Sequence, residues 1–354
     1  MKSRGFLLLM GFVIMLSGSI LVVSSCGTKV DTNTPTDTRY TCDGTIAQCL
    51  RIKSGWTLDV KTTDTAIVDP CVVALPDGSF RIYANLYTGG AVTYPRHVIS
   101  LISTDGGVTF TQEAGDRVVG DNDHDAFGPL VLALPTGNFR MYLTDQRTVI
   151  GTAGAPAVIS AVSSDGLNFT YEPGERLHYS GTGDEVSGIR PGAVIGLPDG
   201  TYRMYYGANN KVLSAVSTDG LAFTREGGVR FDPMTTCPAG SRVNAKLYLD
   251  LGGTYHMFSA LAVCDDVNHT NEKIGIFEGT SSDGLTFTFS KTAVVQGYYI
   301  KSQYHGNPTD PFELPEDPML VWTPAGLRMY FACGNSSAST PDARYYSVYN
   351  PSIH

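Results

Sequence analysis

Residues 197–224, LPDGTYRMYYGANNKVLSAVSTDGLAFT, read as one antiparallel meander, and that reading constrains the rest of the chain. Pro198-Asp199-Gly200 is turn chemistry: proline pre-sets φ, and Asp and Gly tolerate the conformations a tight turn requires. Residues 201–206 have the aromatic content and length of a strand. Residues 207–210 turn again, 212–217 form the next strand, and Asp219-Gly220 leads into a short last one. The apolar run 193–196 supplies a buried inner strand ahead of the meander. Four strands in about 30–35 residues are the content of one blade of a radial β array.

The unit recurs. ALPDGSFRIYANLY precedes VISLISTDGGVTFT, ALPTGNFRMYLTDQ precedes VISAVSSDGLNFT, and LGGTYHMFSALAV precedes IGIFEGTSSDGLTFT. A last copy opens PMLVWTPAGLRMYFACG and stops at YYSVYNPSIH. Arg81, Arg140, Arg203, His256 and Arg328 mark the copies, spaced by roughly 60 residues, longer than common propeller repeats. Such a unit cannot bury both faces alone, so the copies must pack around an axis. The sequence predicts an all-β, five-bladed β-propeller. Its last copy is one outer strand short, which would leave an exposed edge. Residues 54–60, SGWTLDV, resemble the tail of the other copies and are expected to supply that strand and close the ring.

Residues 1–26 read as a targeting segment. Lys2 and Arg4 form a positive start, 6–23 an apolar core, and Val23-Ser24-Ser25-Cys26 resembles a bacterial lipoprotein processing box with Cys26 lipidated. An ordinary cleaved signal peptide and an uncleaved anchor are the rivals, although Gly and Ser interrupt an already short apolar run. Gly27 rather than Asp after the cysteine implies, in Gram-negative lipoproteins, sorting to the outer membrane. Residues 27–50 form a polar tether rich in Thr, Asp, Asn and Pro in its first part, leaving 51–354 for the propeller.

Beyond Cys26, six cysteines remain, an even set suited to an oxidising compartment. The expected pairs are Cys42–Cys49, Cys237–Cys264 and Cys71–Cys333, with a free buried Cys71 as the alternative. No CxxC pair or HExxH is present, so neither a zinc site nor a redox dithiol is indicated, and no cofactor is expected. Asp121-Asn122-Asp123-His124-Asp125 begins like a calcium loop but lacks the glycine and the terminal acid that such a loop needs. A net charge of −9 argues against a nucleic-acid partner, which requires a basic footprint. The expected partner is a carbohydrate, with membrane contact only through the lipid, and the chain is expected to act as a monomer.

The STDGGVTF, SSDGLNF, STDGLAF and SSDGLTF stretches look like Asp-box hairpins, which occur in sialidases and many other glycan-handling propellers. Their physical role is a turn: Asp accepts local N–H groups, Gly takes positive φ and the aromatic packs between blades. Aligning the copies on the Leu-Pro-x-Gly turn puts Asp69-Pro70 at the start of the first inner strand. The equivalents are Gly128-Pro129, Arg190-Pro191, Asn244-Ala245 and Asp317-Pro318. Here the chain resembles the five-bladed glycosidase superfamily of arabinanases, xylosidases and fructan hydrolases. That resemblance implies Asp69 as base or nucleophile. It also implies an Asp opening blade two and a Glu opening blade three, where this chain has Gly128 and Arg190. Hydrolysis of a glycoside needs two carboxyls, one protonated and one ionised. Asp125 and Glu185 are the candidate substitutes, each otherwise a solvated loop acid. Arg190, His124, Asn244, Asp317, Tyr304 and His305 are candidate substrate contacts, the last two on the long Tyr- and Pro-rich link 298–318. Two functions stay open: a glycosidase-like hydrolase, or a non-catalytic propeller that binds a glycan or protein.

Overall fold

The computed structural model describes residues 51–63, 67–86, 94–146, 156–185, 188–233, 245–264, 272–297, 315–333 and 344–353. The described chain contains no helix and forms five sheets. It opens with β1 (Arg51–Ile52) and β2 (Thr57–Thr63), whose partners come last. Blade one is β3 (Ile67–Ala74), β4 (Phe80–Leu86), β5 (Val98–Ser103) and β6 (Thr111–Gln112). Blade two is β7 (Phe127–Ala133), β8 (Phe139–Asp145), β9 (Ala157–Ser163) and β10 (Thr170–Tyr171), with β11 (Leu177–His178) returning to pair with β9. Blade three is β12 (Arg190–Gly196), β13 (Tyr202–Ala208), β14 (Lys211–Ser217) and β15 (Thr224–Arg225). Blade four is β16 (Ala245–Leu249), β17 (Tyr255–Cys264), β18 (Glu272–Ser281) and β19 (Thr288–Gln296). Blade five is β20 (Glu316–Thr323), β21 (Gly326–Cys333) and β22 (Arg344–Asn350), completed by β2 in the order β2-β22-β21-β20.

The closing strand is therefore where the tail-like sequence predicts it. Pairing of Thr57 with Tyr349 and Leu58 with Val348 fixes it to β22. One feature is additional: β1 pairs with β19, so the same N-terminal segment also edges blade four. Ile52 and Trp56 are buried with Phe258, Ile276, Leu327 and Met329, joining the cores of blades four and five.

The repeated residues explain the repeated structure. The Pro-x-Gly turns are alike: the Gly78, Gly137 and Gly200 N–H groups donate to the Leu75, Leu134 and Leu197 carbonyls at 2.9–3.0 Å. The marker arginines pin each outer strand to the second strand. Arg81 holds Glu113, Arg140 holds Glu172 and Arg203 holds Glu226, each through Nε and Nη2. In blade four His256 takes this place, between Glu278 at 3.0 Å and Asp250 at 3.2 Å.

Neighbouring blades are joined through the Ser-x-Asp-Gly turns. Asp165 accepts the Leu167 and Asn168 N–H groups, and Asp219 accepts those of Leu221 and Ala222. The turn glycine's carbonyl then accepts a tyrosine hydroxyl from the preceding blade. Tyr83 reaches Gly166, Tyr142 reaches Gly220, Tyr205 reaches Gly284 and Tyr330 reaches Gly107, all at 2.8–2.9 Å. Each tyrosine ring also meets the edge of the turn's phenylalanine. Gly166 shows why glycine is required: its φ is +69°, and a Cβ there would stand 2.9 Å from the Tyr83 hydroxyl. Between blades four and five the pair is Phe258 and Trp56, edge to face at 5.6 Å. The N-terminal segment thus completes the ring of contacts as well as the sheet.

The expected Cys71–Cys333 bridge is corrected. Cys71 is a free, buried thiol in the seam between blades one and two, where its Sγ accepts the Val131 N–H at 3.3 Å. Burial raises its pKa, so it behaves as a small apolar core residue. Cys42, Cys49 and Cys237 lie outside the described residues, and so do the two other expected pairs.

Candidate functional site: the mouth of the central funnel

The inner strands open with a shared irregularity. Asp69, Gly128 and Asp317 have φ of 48°, 62° and 48°, and each precedes a proline. The register shifts at each of these points, between Val68 and Cys71, Phe127 and Leu130, and Glu316 and Met319. Proline has no N–H to give the ladder, so pairing lapses there and the strand bulges. Blade three repeats the bulge between Pro191 and Ala193.

A cavity of about 420 Å³ opens at these strand starts. Its wall includes Arg190 and Asn209 from blade three, Ala245 and Ala260 from blade four, and Glu316 and Asp317 from blade five. Arg190 reaches past blade two to blade one, where its Nη1 donates to Asp69 Oδ1 at 3.0 Å. Its guanidinium lies 4.5 Å from the centre of the Phe127 ring. Arg96 packs on the same ring at 3.6 Å, and Tyr94 lies 5.1 Å from Arg96. Arg96 is itself locked by Asp125 and by Gln146 Oε1 at 2.8 Å. Gln146 spends its oxygen on Arg96 and lines the cavity.

Of the residues singled out in the sequence, Asp69, Arg190 and Asp317 are brought together. Asp125 and Glu185 are not solvated loop acids, and neither lines the cavity. Asp125 is wholly buried; it accepts the Arg96 backbone and side-chain donors, while its own N–H donates to Asp145 Oδ1 at 3.0 Å. Glu185 is 3% exposed and accepts Arg225 at 2.7 Å, the Tyr206 hydroxyl at 2.6 Å and the Ser180 N–H at 3.1 Å. Burial alone would raise the Glu185 pKa, but these donors outweigh it and pull it down to about 2. An ionised carboxylate so fully engaged is poorly suited to giving up a proton. His124 stacks on Tyr171 at 4.4 Å and contacts Asp121, off the cavity wall. Asn244, Tyr304, His305 and Cys26 lie outside the described residues.

Sequence reasoning missed Arg96, Gln146, Asn209 and Asn210 as residues at the mouth. A signal existed for the asparagines. Asn209 and Asn210 have φ of 47° and 59° and join Ala208 to Lys211 as a two-residue hairpin turn. A hairpin between second and third strands falls at the same end of a blade as the start of the first strand.

The Glu185 arrangement has a measurable consequence. A carboxylate with a depressed folded-state pKa contributes stability above its unfolded pKa of about 4.5 and loses it as pH falls toward about 2. Glu185→Gln is expected to lower stability at neutral pH, leaving Arg225 without its charge partner. The gap to wild type should then close as pH falls from 4.5 to 2, read by urea unfolding at a series of pH values. A gap independent of pH in that window would contradict the assignment.

No protein-family model matches the sequence, and no curated protein matches it. Solved structures do resemble the chain. One belongs to the GH130 family of mannoside phosphorylases, described as containing glycoside hydrolases that target beta-1,2 mannosidic linkages in Candida mannan; it is 17% identical over 82% of this chain and 86% of its own, with a TM-score of 0.56. A thermostable family-43 glycoside hydrolase is 14% identical over 82% of this chain and 91% of its own, also at 0.56. The GH32 β-fructofuranosidase of Bombyx mori is 13% identical, covering 82% of this chain and 61% of its own, at 0.55. The chain has the five-bladed propeller fold of these glycoside hydrolases. The likeness is one of fold. Where the sequence resemblance implies an Asp opening blade two, the chain has Gly128, on which a Cβ would stand 3.9 Å from the Asp69 Cβ. The blade-three slot holds a cation, Arg190, turned onto Asp69.

Proposed function

We propose that this propeller handles a carbohydrate in its central cavity as a glycoside-hydrolase-like protein of the bacterial cell envelope, anchored through Cys26. The observation that carries the reading is the cavity of about 420 Å³ with the Asp69–Arg190 pair at its mouth. Its size falls within the range of about 300–1000 Å³ usual for small-ligand sites. Arg190 holds the Asp69 carboxyl in place at the mouth, and a positioned carboxylate is what a base or nucleophile requires. Carboxamides of Gln146, Asn209 and Asn210 in the same wall suit the donor and acceptor pattern of sugar hydroxyls.

The second reading is a non-catalytic glycan binder. It is favoured by Asp125 and Glu185, the acids nearest in sequence to the expected blade-two and blade-three positions, being engaged by Arg96 and Arg225 instead. A glycan-array and hydrolysis screen of the full-length chain separates the two. Release of reducing sugar from a bound glycan supports the hydrolase; retention on the array without release supports the binder. Neither retention nor release would remove the carbohydrate reading.

A further inference from the structure

Four non-glycine residues in the described chain are left-handed: Asp69, Asn209, Asn210 and Asp317. Three of them line the cavity described above, and the fourth is ion-paired to Arg190 in its wall. The two asparagines are explained by their hairpin turn. The bulge before each proline accounts for the left-handed conformation at the two aspartates, but not for an aspartate supplying it. The equivalent position of blade two is Gly128, which takes the same conformation without a side chain. An L-residue there costs free energy that glycine avoids, and such strain concentrates where a side chain is needed for function.

Asp69 and Asp317 belong to adjacent blades, with β3 packed against β20. The fully buried Tyr345, whose hydroxyl donates to the Ile67 carbonyl at 3.1 Å, is within electrostatic reach of Asp69, Glu316 and Asp317. Asp125 and Glu185, clamped by arginines away from the cavity wall, leave the second carboxyl of a hydrolytic pair to be found elsewhere. We infer that Asp317, in the cavity wall, is that second carboxyl, the proton donor of the pair.

The inference rests on the hydrolase reading above. Hydrolysis requires one ionised and one protonated carboxyl; in this scheme Asp69, held by Arg190, is the base and Asp317 the acid. A water oxygen bonds to the anomeric carbon while its proton passes to Asp69. The bond from that carbon to the leaving oxygen breaks, and the oxygen keeps the electron pair and takes the proton of Asp317. Solvent then removes the proton from Asp69 and returns one to Asp317, so the net change is addition of one water.

The test uses full-length wild type, Asp317→Asn and Asp317→Gly with methylumbelliferyl and dinitrophenyl glycosides of pentoses and hexoses. Dinitrophenolate leaves without protonation, so it bypasses an acid catalyst. Both variants are expected to lose about 10²–10⁴-fold in kcat on the methylumbelliferyl glycoside that wild type cleaves. Turnover of the matching dinitrophenyl glycoside should change little. Asp317→Gly should melt at or above the wild-type temperature, because glycine relieves the left-handed strain. Equal loss on both leaving groups with a lowered melting temperature would make Asp317 a structural residue, and unchanged turnover on both would also overturn the inference. If wild type cleaves none of these glycosides, the hydrolase reading itself fails and the assignment falls with it.

Discussion

Asp69→Asn is expected to leave the propeller folded and to lower turnover of any cleaved glycan by about 10²–10⁴-fold, with ligand binding retained. Folding survives for two reasons. Asparagine tolerates the left-handed conformation at least as well as aspartate, so the φ of 48° is kept. The pair with Arg190 is half exposed on the arginine side, and such pairs contribute only about 0–1 kcal/mol. The side-chain carbonyl of asparagine still accepts from the guanidinium. What disappears is the negative charge, and with it the base or nucleophile. The measurement is kcat and Kd on the same glycan, with circular dichroism to confirm the fold. Equal turnover by the two forms would sink the catalytic role of Asp69. For a binder, the substitution should alter affinity alone, with no sugar released by either form.

Removal of residues 51–63 is expected to destroy cooperative folding or to drive aggregation. The loss has three parts. β22 is stripped of its partner and becomes an open edge at the outer rim of blade five. Trp56, 6% exposed, no longer fills the junction with Phe258, and a buried Trp→Ala change alone costs about 3–5 kcal/mol. β19 loses β1, and Glu278 loses the Lys53 ion pair at 3.1 Å. The total is comparable with the whole stability of a typical domain, about 5–15 kcal/mol. Trp56→Ala in the otherwise intact chain isolates the packing part. Size-exclusion chromatography and thermal melting read both variants, and a soluble deletion form melting like wild type would contradict the closure.

Much of the fold was legible because its signals are local and repeated. A Pro-x-Gly turn, a strand with an inward aromatic and a Ser-x-Asp-Gly turn specify a hairpin wherever they occur. Five copies of the strand unit, four of them ending in a Ser-x-Asp-Gly turn, leave little choice but a ring. The tail-like SGWTLDV was recognisable for the same reason, as a strand displaced from its blade. β1 was not, since two residues carry no periodicity and pair with β19 only because closure brings them there.

The site divided along the same line. Asp69, Arg190 and Asp317 were legible as residues at the starts of inner strands, because that position depends on strand register, which the repeats supply. Asp125 and Glu185 were misplaced because their surroundings depend on Arg96 and Arg225, 29 and 40 residues away along the chain. A loop acid looks solvated until the residue that buries it is known. Cys71 was ambiguous on similar grounds: a cysteine count does not say whether a thiol will face another thiol or the Val131 amide. Sequence alone determined the blades, their number and the residues that open the inner strands of blades one, two, three and five, because alternation, turn chemistry and repetition are properties of neighbours along the chain. Tertiary structure alone decided which charges meet, Asp69 with Arg190, Asp125 with Arg96 and Glu185 with Arg225. Ion pairing in a propeller is set by which blades the ring makes adjacent and how far each side chain reaches across them.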